Sequence, residues 1–288
     1  KFQLFKINEL FSKEVFVSNP EILERKKWEL PLDFLPILSK HCKKKKIQFS
    51  CTPFYLDAVK ELEPYVDFYK IASYELLWDD LLNLCAKTNK PIVISTGMAT
   101  LDEVRHAVDV LKKSGCSNYC ILHCTSAYPS KNSDKNLKCI LKLRKLLNED
   151  VGFSGHGIGS VGASGAVALG AKLVEKHFKI SNKIKSLDSK FSIDFEKFKE
   201  LSMRSKNIYK TLGSFTKQQS RSEKKSLFLR RSIFTCKNIS KGSKITKHNI
   251  KCLRPKIGIG SEMYFQILGK KIKKNKKKHT PIYQSDFR

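Results

Sequence analysis

The sequence predicts an α/β fold: a TIM-type (β/α)8 barrel lacking its first strand, followed by a small β-rich domain. Three observations predict it. Short apolar runs alternate with amphipathic helical patterns from residue 1 to about residue 213, and that alternation marks parallel βαβ units. Seven such runs are countable, one short of the eight that close a barrel. After Gly213 the rhythm stops, and short strands and turns follow a polar stretch.

Each element has its own signal. Strands are expected at Lys1–Phe5, Ile47–Phe54, Phe68–Ser73, Pro91–Thr96, Tyr119–Thr125, Val151–His156 and Leu173–Phe178, where apolar residues run continuously, as in strands buried on both faces. Helices are expected at Leu56–Leu62, Leu76–Ala86, Leu101–Lys113, Lys135–Leu147 and Val161–Gly170, with Phe195–Leu212 as the last helix of the barrel. Thr100 stands before Leu101 as an N-cap, with Asp102 and Glu103 in the first turn. An open doubly wound sheet also alternates, but it carries a Gly-rich phosphate loop after its first strand, and no such loop follows here. The chain opens at Lys1 rather than at a methionine, and the missing strand is expected upstream of it. Residues 1–213 therefore form the barrel. Residues 214–226 (SFTKQQSRSEKKS) are a linker without an apolar face, and residues 227–288 form the second domain. A piece of that size is near the lower limit for independent stability, so it is expected to dock on something.

Composition removes several classes. Of 288 residues, 41% are hydrophobic and 29% charged, which is globular rather than disordered. No apolar run approaches the roughly 18 residues that cross a bilayer. The opening KFQLFKINELF is too mixed for a signal peptide. Nine cysteines without a CxxC pair point to free thiols in a reducing compartment, hence to the cytoplasm. Lys and Arg number 56 against 27 Asp and Glu, a net charge of +29, with dense runs at Lys43–Lys46 and Lys270–Lys278. Spread along the whole chain, these read first as solvated lysines, in a field that favours small anionic substrates.

The strand ends carry the chemistry. FYKIAS ends in Lys70 and Ser73, VISTG in Ser95 and Thr96, ILHCTS in His123, Thr125 and Ser126, GFSGH in Ser154 and His156, and VEKHF in Glu175 and His177. In a parallel barrel those ends share the catalytic face. A single strand-end serine caps a turn; five polar ends with two or three histidines suit a reaction centre. Glu175 projects to the same side as His177, because side chains alternate along a strand.

Read in order, KFQLF, CTPF, DFYKIAS, PIVISTGMATLDEV, ILHCTSAYP, VGFSGH, AVALGAKLVEKHF, LDSKFSI and, in the tail, RRSIF, KNISKGSKIT and NIKCLRP resemble the sialic acid synthase family over nearly the whole chain. The resemblance implies a barrel joined by a linker to an antifreeze-like (SAF) domain. It also implies condensation of phosphoenolpyruvate with an N-acyl amino sugar. Through it, His156 and His177 become ligands of a divalent metal, Mn²⁺ or Mg²⁺, that polarises the sugar aldehyde. Lys1, Lys70, Thr52, Ser73, Ser95, Ser126 and Ser154 become the phosphoenolpyruvate cradle. Glu175 becomes an acid/base group or a partner of the metal ligands. Asp188, Tyr128 and Gln3 lie around the substrates. Arg254 is implied to reach the sugar from the tail domain of the other subunit in a domain-swapped homodimer. The sugar is N-acetylmannosamine or a 2,4-diacetamido hexose of the legionaminic or pseudaminic type.

Some positions depart from the family pattern. Leu4 stands where Thr is usual, Gly155 where many members have Asp, and Lys256 where Gly usually follows the RP pair. The strand carrying a catalytic Glu motif is missing. Two other readings therefore stand beside the synthase: a catalytically inactive fragment of one, and a Lys-rich nucleic-acid-binding protein. Other phosphoenolpyruvate aldol enzymes lack such a tail, so the segment after Leu227 argues against them.

Overall fold

The computed structural model describes residues 1–183 and 188–287. The chain divides into two compact units, Lys1–Gly213 and Ser214–Arg288.

In the first unit, seven strands form one parallel sheet in chain order: β1 (Phe2–Leu4), β2 (Ser50–Pro53), β3 (Phe68–Ile71), β4 (Ile92–Ser95), β5 (Tyr119–Cys124), β6 (Val151–Gly155) and β7 (Val174–Lys176). Each strand pairs with the next, the arrangement of a barrel short of one strand. Beyond β7, Phe178 makes an isolated parallel bridge to Ile193.

No element is expected between Phe5 and Ile47, yet that segment holds α1 (Ile7–Leu10), α2 (Lys13–Ser18), a 3₁₀ helix (Pro20–Trp28) and α3 (Phe34–Lys44). In α1, α2 and the 3₁₀ helix only Ile7 is buried, which leaves little periodicity to read, whereas α3 sets Leu35, Leu38, Ser39 and Cys42 toward the core, a stripe that the strand–helix alternation passes over. The other crossings are α4 (Leu56–Leu62), α5 (Asp79–Lys87), α6 (Leu101–Lys113), α7 (Cys139–Leu147), α8 (Val161–Ala168) and α9 (Phe195–Leu212). In α6, Val104, Ala107, Val108 and Leu111 are buried, the i, i+3, i+4, i+7 stripe of a core-facing helix. A capping box starts it: Thr100 Oγ1 accepts from Glu103 N at 3.3 Å, and Glu103 Oε2 accepts from Thr100 N at 2.6 Å. Asp194 caps α9 by accepting from Lys197 N at 3.0 Å, and the chain leaves that helix at Gly213, whose φ is +58°.

One core runs through this unit, with Leu4, Leu35, Phe49, Tyr69, Leu81, Ile92 and Phe153 among its buried members. The second unit has its own core of Ile233, Ile239, Ile245, Ile250, Ile267, Ile272, Ile282 and Phe287. It is organised by an antiparallel pair, β8 (Ser232–Thr235) with β9 (Ile250–Leu253), and by single antiparallel bridges, with α10 (Tyr264–Ile267) between them. All nine cysteines are free thiols. No helix among the described residues is long and apolar enough to cross a membrane.

Candidate active site

Polar ends of neighbouring strands meet inside the first unit, with Glu175 between them. Ser154 and Glu175 are partners in the β6–β7 register, as Cys124 and Ser154 are in β5–β6. Ser154 Oγ donates to Glu175 Oε1 at 3.0 Å. Lys1 Nζ stands 3.4 Å from Oε2, and Lys70 Nζ 3.8 Å from Oε1. Lys70 is buried and also donates to Ser95 Oγ and to the Ile71 carbonyl, both at 2.6 Å. Burial pushes the Lys70 ammonium down to about 8, against the pull of the Glu175 charge. Burial pushes Glu175 up, but the charges of Lys70 and Lys1 and the Ser154 bond outweigh it and hold the carboxyl at about 2. The carboxylate is therefore ionised at neutral pH.

Beside this cluster lies a set of hydroxyls. Thr52 Oγ1 and Ser126 Oγ are buried and have no hydrogen-bond partner among the described residues. Leaving such a group unpaired costs about 1–3 kcal/mol, which a bound anion would offset. Ser73 Oγ accepts from Gly97 N at 3.0 Å. Gly97 leaves no room for a side chain: a Cβ there would lie 2.0 Å from Ser126 Oγ and 2.9 Å from Ser73 Oγ. The STGMAT turn thus presses its backbone against both serines. The buried thiol of Cys124 stands among Ser73, Ser126 and Ser154 and 3.6 Å from His156 Nδ1.

The two histidines follow β6 and β7. Their ring centroids are 5.2 Å apart. His156 Nδ1 contacts the Thr125 carbonyl at 3.0 Å, so Nδ1 carries the proton and Nε2 keeps its lone pair. Burial pushes His156 down to about 4, with the His177 charge acting the same way, so the ring is neutral at pH 7. His177 Nδ1 meets Asp188 Oδ2 at 3.0 Å, which likewise leaves Nε2 as the nitrogen available to a ligand. Tyr128 covers the pair, 4.2 Å from the His156 ring and 6.1 Å from that of His177.

Gln3 is exposed on β1, in register with Thr52. Arg254 belongs to the second unit, exposed at the end of β9 beside Arg230, Lys256 and Glu262. Leu187 of the LDSKFSI motif lies outside the described residues.

Two site residues have no place in the strand-end reading. Phe191 packs on His177 (4.9 Å) and Tyr128 (5.1 Å). Glu75 is buried in the turn after β3, and its Oε2 has no partner among the described residues. Burial pushes its carboxyl up to about 7, with Lys70 pulling the other way. Its position two residues beyond Ser73 in IASYE is the signal that could have found it.

Residues 1–217 match the family model described as the NeuB family, and residues 230–288 match that of the SAF domain. The chain belongs to the NeuB family. Within that family it is 36% identical over 262 residues to pseudaminic acid synthase of Helicobacter pylori, covering 89% of this chain and 76% of that protein. With N,N'-diacetyllegionaminic acid synthase of Campylobacter jejuni it shares 38% over 255 residues, 87% of this chain and 76% of the other. The crystal structure of N-acetylneuraminic acid synthetase from Leptospira borgpetersenii in complex with citrate superposes with a TM-score of 0.73 at 28% identity, over 78% of each chain. The fold of this NeuB chain is that of the sialic acid synthase structures.

Proposed function

We propose that this NeuB-family chain condenses phosphoenolpyruvate with an N-acyl amino sugar and water, giving a nine-carbon 2-keto acid and phosphate. N-acetylmannosamine or a 2,4-diacetamido hexose is the acceptor; the similarity to pseudaminic and legionaminic acid synthases supports the diacetamido sugars. The observation that carries the reading is the adjacency of a cationic, hydroxyl-rich cradle to two neighbouring imidazoles whose Nδ1 atoms are both engaged.

His156 and His177 would hold a divalent cation, manganese or magnesium. The residues fit it: the neutral His156 ring offers a lone pair, Asp188 and the Thr125 carbonyl fix both Nδ1 atoms, and rings 5.2 Å apart can share one ion. Among the described residues no cluster of three or more His, Cys, Asp and Glu that could hold a metal ion occurs, so the two imidazoles would be the protein's own ligands. When bound, the cation supplies Lewis acidity at the sugar aldehyde.

The chain's own groups do the rest. Lys70 and Lys1 attract the phosphate and carboxylate of phosphoenolpyruvate, and Thr52, Ser73, Ser95, Ser126 and Ser154 offer neutral donors. The methylene carbon of phosphoenolpyruvate forms the new bond to the aldehyde carbon, the C=O π bond breaks, and the aldehyde oxygen takes up a proton to become a hydroxyl. Water adds at the former enol carbon, and phosphate leaves with its bridging oxygen as the C–O bond breaks. Glu175, held ionised, orients the two lysines. Glu75, poised near neutrality, suits proton exchange during water addition. Asp188 and Tyr128 border the sugar, with Gln3 at the edge. Arg254 completes the reading by reaching the sugar of the partner subunit in a domain-swapped homodimer.

Phosphate release from phosphoenolpyruvate, measured with Mn²⁺ and each candidate sugar, tests this. The wild-type chain should turn over one of the sugars, and the His156→Ala/His177→Ala double variant should lose metal-dependent turnover. A wild-type chain silent with every sugar, or a double variant with full activity, overturns the proposal.

A further inference from the structure

We propose that Lys176 is a positioning residue that clamps His156 to the strand carrying His177; the proposal rests on the two-histidine reading above. Lys176 lies between Glu175 and His177 at the end of β7. Strand alternation turns it to the opposite face from Glu175. From that face its ammonium donates to the Gly155 carbonyl at 3.1 Å and to the Gly157 carbonyl. Those two carbonyls bracket His156. The carbonyl of His156 itself accepts from Ser130 N at 3.4 Å. Three consecutive carbonyls of the turn are therefore held from outside it, two of them by one side chain.

The sheet explains why a side chain is needed there. The β6–β7 register ends at the pair Gly155 and Lys176, one residue before His156. Beyond that pair no β6–β7 ladder pairing fixes the turn among the described residues, and the ammonium takes over. Charge-assisted bonds of this kind are about twice as strong as neutral ones. The rear of the turn is closed by Lys135, a buried lysine that donates to Asn132 Oδ1 at 2.7 Å and to the Ser130 carbonyl at 3.4 Å. A Cβ on Gly157 would stand 2.5 Å from Lys135 Nζ and 3.1 Å from the Ser130 carbonyl, so a side chain there would push the Lys135 ammonium out of its place. Among the described residues neither ammonium forms a salt bridge. A half-buried charge that gives up water for two carbonyls on either side of one residue restrains that residue. Lys176 thereby sets the spacing of the two rings.

Lys176→Met keeps the aliphatic stem and removes the charge, while Lys176→Arg keeps two donors. Two readouts apply to the full chain: hydrogen exchange of residues 155–160 without metal, and Mn²⁺ affinity from the free-ion resonance signal. In Lys176→Met, exchange of the turn should accelerate at least about tenfold, and the Mn²⁺ Kd should rise about 10- to 100-fold. KM for phosphoenolpyruvate should hold, and Lys176→Arg should restore both readouts. If Lys176→Met fails to fold, Lys176→Gln, which keeps an NH2 donor but on a shorter, uncharged side chain, should show the same effects in weaker form. Wild-type values in a folded Met or Gln variant, or no restoration by Arg, would overturn the clamp. A wild-type chain that binds no Mn²⁺ would sink the two-histidine reading instead, and exchange of residues 155–160 would still decide the clamp.

Discussion

The site consists of charged and polar groups whose neighbours decide their charge. Glu175 and Glu75 share an interior and behave oppositely. The first has two ammonium groups and a hydroxyl; the second has burial and a distant lysine. Their linkage to stability therefore has opposite sign. Glu75 keeps its proton to about 7 when folded, against the usual 4.5. Between those values the folded chain binds more protons than the unfolded one, so this group's contribution is full below pH 4.5 and falls as pH rises to 7. Glu175 stabilises above 4.5 and loses that contribution as pH falls towards 2, a separate window. Glu75→Gln should thus abolish a decline of roughly 3 kcal/mol between pH 5 and 8. Urea midpoints of both proteins across that range check it; parallel curves would show that Glu75 does not titrate there. The residue types at this scale were legible from strand ends, because a parallel barrel gathers those ends on one face. Glu75 and Phe191 were not, because their places depend on how a turn and a later loop fold back over the rim.

Secondary structure was legible where local chemistry is self-sufficient. The segments Leu56–Leu62, Leu101–Lys113 and Phe195–Leu212 begin and end where their apolar stripes and flanking signals place them. Helix α6 combines a capping box with a buried stripe, so several local preferences agree. Thr100→Ala removes the cap and should lower stability by about 1 kcal/mol, read as a shift of the denaturation midpoint. An unchanged midpoint would mean that packing alone holds α6. Between Phe5 and Trp28 nothing local decides. Val17 and Leu23 there are exposed and only Ile7 is buried, so no buried stripe marks those pieces; α3, by contrast, buries Leu35 and Ser39 with Leu38 and Cys42 partly buried, a helical stripe that the strand–helix alternation passes over. Elsewhere the helix starts drift: α7 begins at Cys139 rather than Lys135, because Ser133–Lys135 forms a separate 3₁₀ turn that carries Lys135 inward.

Across the molecule, charge and core divide unevenly. Residues 214–288 carry 21 Lys and Arg against 3 Asp and Glu, a net +18, while residues 1–213 carry 35 against 24, a net +11. Of the three acids in the second unit, Asp286 is buried and paired with Lys274 and Lys276. A small core of isoleucines must hold this unit against its own repulsion. Ile272→Ala should cost it about 2–5 kcal/mol, a large share of the stability of so small a unit. Hydrogen exchange localised to residues 230–287 should rise; unchanged protection there would show that the core has reserves beyond its buried isoleucines.

By itself the sequence determined the α/β alternation, the count of seven strands, the change of character after Gly213 and the residue types at the rim. Those features are written in periodicity and composition, which act within a few residues of chain. Only the tertiary structure decided which groups face one another. It set Lys1 and Lys70 on one carboxylate, left the Thr52 and Ser126 hydroxyls without hydrogen-bond partners among the described residues, stood two imidazoles 5.2 Å apart and brought Lys176 across the His156 turn. Distances of that kind, and the charges that depend on them, arise when strands far apart in sequence pack around one interior.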